Sequence, residues 1–154
     1  MMTQEKTDYP PLLPGGIHAF TLDSLRPITV DNFPNSVRRQ GLFGALGIYL
    51  EMLESTGFKG FAWIDGSFMC EKEDPNDIDL VLVFESDVID TISESARPVL
   101  NGLFDTLTIL SRFKLHVFQV RVEDEAGLEY WKKQFGTQRD EVTPKGLASI
   151  GVNL

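Results

Sequence analysis

Two aspartates one residue apart, Asp77 and Asp79, open the apolar run "LVLVF". Strand side chains alternate faces, so the two carboxylates share one face while Ile78 and Leu80 share the other. Two residues of strand span roughly 6.6 Å, and carboxylates leaning together can converge on one ion. At about 5 Å and an effective dielectric near 20 their repulsion is on the order of 3 kcal/mol. A divalent cation offsets that directly. Mg²⁺ takes oxygen ligands, often one or two carboxylates plus substrate phosphates. Upstream, Gly66-Ser67 follows an expected strand, where glycine permits close approach of backbone to a ligand and turn amides suit a phosphate. Together the two elements make a site for a metal-bridged triphosphate, and the chemistry implied is in-line nucleotidyl transfer. The plainer reading of "DPNDID" is turn chemistry, with Pro75, Asn76 and Asp77 forming a β-turn before a strand.

The stretch "GSFMCEKEDPNDIDLVLVF" resembles the signature of the DNA polymerase beta-like nucleotidyltransferase superfamily: Gly-Ser, a loop, then Asp-x-Asp on a strand. The resemblance implies a mixed sheet flanked by helices, dependence on Mg²⁺ (or Mn²⁺) and a nucleoside triphosphate donor. It also implies that Gly66 and Ser67 contact phosphates and that Asp77 and Asp79 bind metal. "LPGGIHAFTLDSL", "YWKKQFGTQRD" and "PKG" are similar to a small, largely uncharacterised bacterial branch of the superfamily. One position departs from the pattern. The superfamily draws a third carboxylate from the next long strand, here "FKLHVFQVRV", and the aligned position is His116. Histidine is a poor Mg²⁺ ligand but a competent base, and Mn²⁺ or Zn²⁺ tolerates it better. Asp65, beside Gly66, or Glu123 could substitute for the absent acid. Two functions follow. One is an active transferase that moves a nucleoside monophosphate onto a protein, an RNA end or a small molecule. The other is a catalytically degenerate module that binds a nucleotide or a partner protein. An antitoxin or phage-defence role is suggested by resemblance alone.

Other residues carry weaker signals. Lys145, between Pro144 and Gly146, is a candidate phosphate contact, the plainer reading being an ordinary loop lysine, and Arg139 is a similar candidate. Arg38-Arg39 and Lys132-Lys133 could add to a locally basic groove, although Lys132-Lys133 also reads as the solvent face of a helix, with Glu129 pairing to Lys133. His18 is expected to be structural. Cys70 falls in a polar loop and is expected to be exposed, with no neighbouring histidine to make it a catalytic thiol.

The elements that must position these residues are legible in the periodicity. Ser36 to Ser55 reads as a helix, with Leu42, Leu46, Tyr49, Leu50 and Leu53 in one stripe, Ser36 as N-cap and Gly57 as stop. Gly41, Gly44 and Gly47 fall along one ridge, which predicts close approach by another element. Strands are expected at Gly60 to Ile64, Ile78 to Phe84, Leu115 to Val122 and Leu147 to Val152. Helices are expected at Ser86 to Ser95, Pro98 to Phe113 and Glu125 to Phe135. The Pro98 helix should turn Leu100, Leu103, Phe104, Leu107 and Leu110 inward, and the Glu125 helix Leu128, Trp131 and Phe135. This order implies an α/β (α+β) fold, a mixed sheet flanked by helices. Residues 1–16 are expected to form an extended arm, with Leu12 to Phe20 lying on the body, and 17–154 a single domain.

At 154 residues, 42% apolar and 24% charged, the chain suits one soluble domain. Eleven Phe and two Trp supply core, and a single cysteine leaves no intrachain disulfide, which suits a reducing cytoplasm. No signal peptide or membrane span is expected. A net charge of −9 argues against broad nucleic-acid binding, which depends on Lys and Arg displacing counterions.

Overall fold

The computed structural model describes residues 9–138, 140 and 142–154. Its elements run β1 (Gly16–Phe20), α1 (Leu22–Arg26), a π-helical turn (Pro27–Asp31), α2 (Val37–Ser55), β2 (Gly60–Asp65), a 3₁₀ turn (Ser67–Met69) and β3 (Ile78–Phe84). There follow α3 (Asp87–Asp90), α4 (Arg97–Leu103), α5 (Thr106–Phe113), β4 (Leu115–Arg121), α6 (Glu125–Gly136) and β5 (Gly146–Val152). The strands form one mixed sheet in the order β1-β5-β2-β3-β4. The pairs β1·β5 and β3·β4 are parallel, and β5·β2 and β2·β3 antiparallel. The fold is therefore mixed α/β, with one sheet and helices on both of its faces.

Alternation along the strands divides the apolar residues between the faces. One face carries Ala62, Ile64, Leu80, Leu82, Val117 and Ile150 into the main core, where the stripe of α2 meets them. Ser36 caps α2 by accepting from the Arg39 amide. All five stripe residues, Leu42, Leu46, Tyr49, Leu50 and Leu53, are buried as their spacing predicts. The other face carries Trp63, Val81, Val83, Val120 and Leu147, a smaller core covered by Leu128, Trp131 and Phe135 of α6.

Several expectations are corrected. The helix expected over Pro98 to Phe113 is two, because Asp105 caps a new helix by accepting from the Thr108 amide. The break swings Leu107 outward, 78% exposed, and Ile109 takes the buried place. Only Asp87–Asp90 of the expected Ser86 helix is helical. The glycine ridge of α2 meets a neighbour only at Gly47, where an added Cβ would lie 3.2 Å from Leu22 Cδ2; at Gly41 and Gly44 it would meet nothing within 4 Å. β1 and α1 were not expected from periodicity. Leu13 and Phe20 pack on the main core, and Leu12 donates its amide to Met69 O.

No helix among the described residues is long and apolar enough to cross a membrane.

Candidate functional site

The site is built where β2 ends and β3 begins. Gly66 follows β2 at φ 82°, a conformation that favours glycine. A second constraint acts on it: an added Cβ would fall 2.6 Å from Asp79 Oδ2. The missing side chain thus lets the Asp79 carboxylate lie against the turn. Ser67 opens the 3₁₀ turn that carries the chain into the loop.

That loop is held by Arg39, which is fully buried. Its Nη1 donates to Phe68 O (2.7 Å) and Thr29 O (3.0 Å), its Nη2 to Lys72 O (2.6 Å) and Cys70 O (2.7 Å), and its Nε to Lys72 O (3.1 Å). The guanidinium lies over the Phe33 ring at 3.8 Å. Burial pushes its pKa down to about 10, so it stays charged at neutral pH. Arg39 is therefore a loop anchor, not part of a basic groove.

Strand register places the carboxylates. Asp79 stands opposite Asp65 on β2 and opposite His116 on β4. His116 Nδ1 lies 3.6 Å from Asp79 Oδ1. Asp65 is 2% exposed, and Lys145 Nζ approaches its Oδ1 at 3.1 Å while also donating to Gly66 O at 3.4 Å. The Asp65 contact has ion-pair distance without hydrogen-bond alignment, so Oδ1 is buried beside a charge but lacks a directed donor. Burial pushes the Asp65 carboxyl up to about 7; Lys145 opposes that rise and Asp79 adds to it.

Gly66, Ser67, Asp77, Asp79, His116 and Lys145 all line one cleft of about 950 Å³, together with Asp65. Lys133 lines it too, and it is Lys132 that pairs with Glu129, at 3.5 Å. One wall is aromatic: the His116 ring lies 4.3 Å from Phe118, and Phe118 lies 4.7 Å from Trp131. Alternation on β4 and i, i+4 spacing on α6 were the available signals for this wall.

Other candidates lie elsewhere or change role. Glu123 binds the Ser86 amide and hydroxyl, which hold its carboxyl below the usual range. Ser86 lies beyond the far end of β3, more than roughly 20 Å of strand from the aspartates. His18 is half-buried and its Nε2 contacts Pro14 O at 2.7 Å. Cys70 is buried rather than exposed, its Sγ donating to Gly66 O at 3.7 Å. Arg139 lies outside the described residues.

Among the described residues no group of three or more His, Cys, Asp or Glu could by itself hold a metal ion. The described residues therefore offer no closed cage. Asp77 and Asp79, with the Asp79 carboxylate seated on bare Gly66, fit the open mode in which a hard cation brings its phosphates with it.

No curated protein and no solved structure matches the chain. The family described as "Family of unknown function (DUF6932)" matches residues 5–151. With nearly all of its length matched, the chain belongs to the DUF6932 family.

Proposed function

We propose that the chain is a metal-dependent nucleotidyltransferase of the DNA polymerase beta-like superfamily, working in the cytoplasm. It transfers a nucleoside monophosphate from a triphosphate to a protein, an RNA end or a small molecule, the acceptor's nucleophile bonding to the α-phosphorus as the α–β anhydride breaks and pyrophosphate leaves. The observation that supports this reading best is the meeting of Gly66-Ser67, Asp77 and Asp79 at one cleft, the Asp79 carboxylate packed on the Gly66 backbone. Asp77 and Asp79 would hold Mg²⁺ or Mn²⁺, which when bound supplies charge neutralisation at the attacked phosphate. Ser67 and Lys145 face the same space as phosphate contacts. Phe118 and Trp131 offer a surface on which a base can stack. His116, with Nδ1 toward Asp79, is placed to hold a proton taken from an acceptor.

The test is transfer from a labelled triphosphate with Mg²⁺ or Mn²⁺. Label should reach an acceptor in the wild type and disappear in Asp77→Ala with Asp79→Ala. Equal labelling by the double variant would remove the transferase reading.

A second reading is favoured by the same geometry. His116 stands where the resemblance expects an acid, and Lys145 already engages Asp65. A module that binds nucleotide or a partner protein without turnover follows. Nucleotide affinity measured by calorimetry with no transfer to any acceptor would select it.

A further inference from the structure

A second cavity, about 840 Å³, lies beside the first and shares Asn76 and Asp77 with it. Its charge differs from that of the chain. Arg38, Arg112 and Lys114 line it against one carboxylate, Asp77, in a protein of net charge −9. Among the described residues, neither Arg112 nor Lys114 has a carboxylate within ion-pair distance. Arg38 is oriented through Nη1, which donates to Asn76 Oδ1 at 2.8 Å, the residue at the seam. The α2 backbone on this side is bare at Gly41, where a Cβ would meet open space. A glycine inside a helix is unfavourable relative to alanine, and no packing contact accounts for this one.

We infer that this groove binds the acceptor, and that the acceptor is a small molecule bearing a phosphate monoester. Guanidinium and ammonium groups lining one groove suit a compact dianion, and charge-assisted hydrogen bonds give that contact its strength. Leu42 and Leu110 form apolar wall for the carbon body of such a molecule. The shared seam at Asp77 would set the acceptor next to the triphosphate cleft. Naming the occupant an acceptor rests on the nucleotidyltransferase reading; the phosphate site itself does not.

The experiment follows backbone amide signals of the full chain by NMR during titration with ribose 5-phosphate, with ribose as neutral control. Ribose 5-phosphate should move the signals of Arg38 to Leu42 and of Arg112 to Lys114, and ribose should not. Arg112→Gln with Lys114→Asn, whose asparagine tolerates the left-handed backbone at 114, should weaken binding by about tenfold or more. Identical shifts from ribose, unchanged affinity in the double variant, or tighter binding of an oligonucleotide without a terminal phosphate would each overturn the inference. A parallel titration uses a non-hydrolysable triphosphate with Mg²⁺, read at Ser67 and Cys70, and should be the same in wild type and double variant. If that ligand does not bind the wild type while ribose 5-phosphate does, the nucleotide reading fails and the phosphate groove stands.

Discussion

Two cations flank the candidate site, Arg39 buried and Lys145 partly buried, and they are satisfied in opposite ways. Arg39 gives its fork to main-chain carbonyls and its face to Phe33. Lys145 meets a buried carboxylate, Asp65, and one carbonyl, Gly66 O. The first arrangement fixes a shape, because several carbonyls converge on one rigid plane and define the path from Ser67 to Glu73. The second balances a charge, because the pair keeps a buried acid tolerable beside Asp79. One cation therefore belongs to the architecture of the loop and the other to the electrostatics of the cleft.

Breaking the first should cost most. Arg39→Met strands the carbonyls of Thr29, Phe68, Cys70 and Lys72, at about 1–3 kcal/mol each, so urea unfolding should show a loss of at least about 4 kcal/mol. Arg39→Lys should recover only part of it, since an ammonium cannot reproduce the fork.

Lys145→Met leaves Asp65 uncompensated and should cost about 3 kcal/mol at neutral pH. Here pH separates the two cations. The Asp65 carboxyl is raised from an ordinary value near 3.8 to about 7, so the folded state binds the proton more tightly than the unfolded chain does. Its contribution to stability is therefore fully present below about pH 4 and is lost as pH rises through 7. The cost of Lys145→Met should shrink between pH 8 and pH 5, whereas that of Arg39→Met should not. Asp65→Asn should remove this pH dependence, and a cost of Lys145→Met unchanged by pH would contradict the charge-balancing role.

Gly66→Ala places a Cβ against Asp79 in a backbone conformation nearly reserved for glycine, costing about 1–3 kcal/mol. It should also weaken nucleotide binding, which calorimetry would read. At the small end, Gly41→Ala should stabilise the chain by up to about 1 kcal/mol in thermal unfolding, since its Cβ enters open space.

Local pattern makes much of this legible in the sequence. The stripe of α2 is one uninterrupted period, so its buried face follows from spacing, and the Gly-Ser turn follows β2 while Asp-x-Asp leads into β3, its antiparallel neighbour. What escaped depends on partners distant in sequence. Arg39 looks like half of a basic pair until the loop thirty residues on wraps it. Lys145 and Asp65 meet because β5 is inserted between β1 and β2, an order that periodicity does not encode. β1 is short and half exposed, with no alternation to betray it, and it exists because β5 supplies its hydrogen bonds. The break before α5 has a local signal in Asp105, its N-cap, but the leucine spacing runs on across it.

The measurement that bears most directly on the site is the electron paramagnetic resonance of Mn²⁺ titrated into the chain with and without a non-hydrolysable triphosphate. An open two-carboxylate site predicts weak Mn²⁺ binding alone, tight binding when the triphosphate is present, and loss of that gain in Asp79→Asn. Mn²⁺ binding that ignores both the triphosphate and Asp79→Asn would contradict the account.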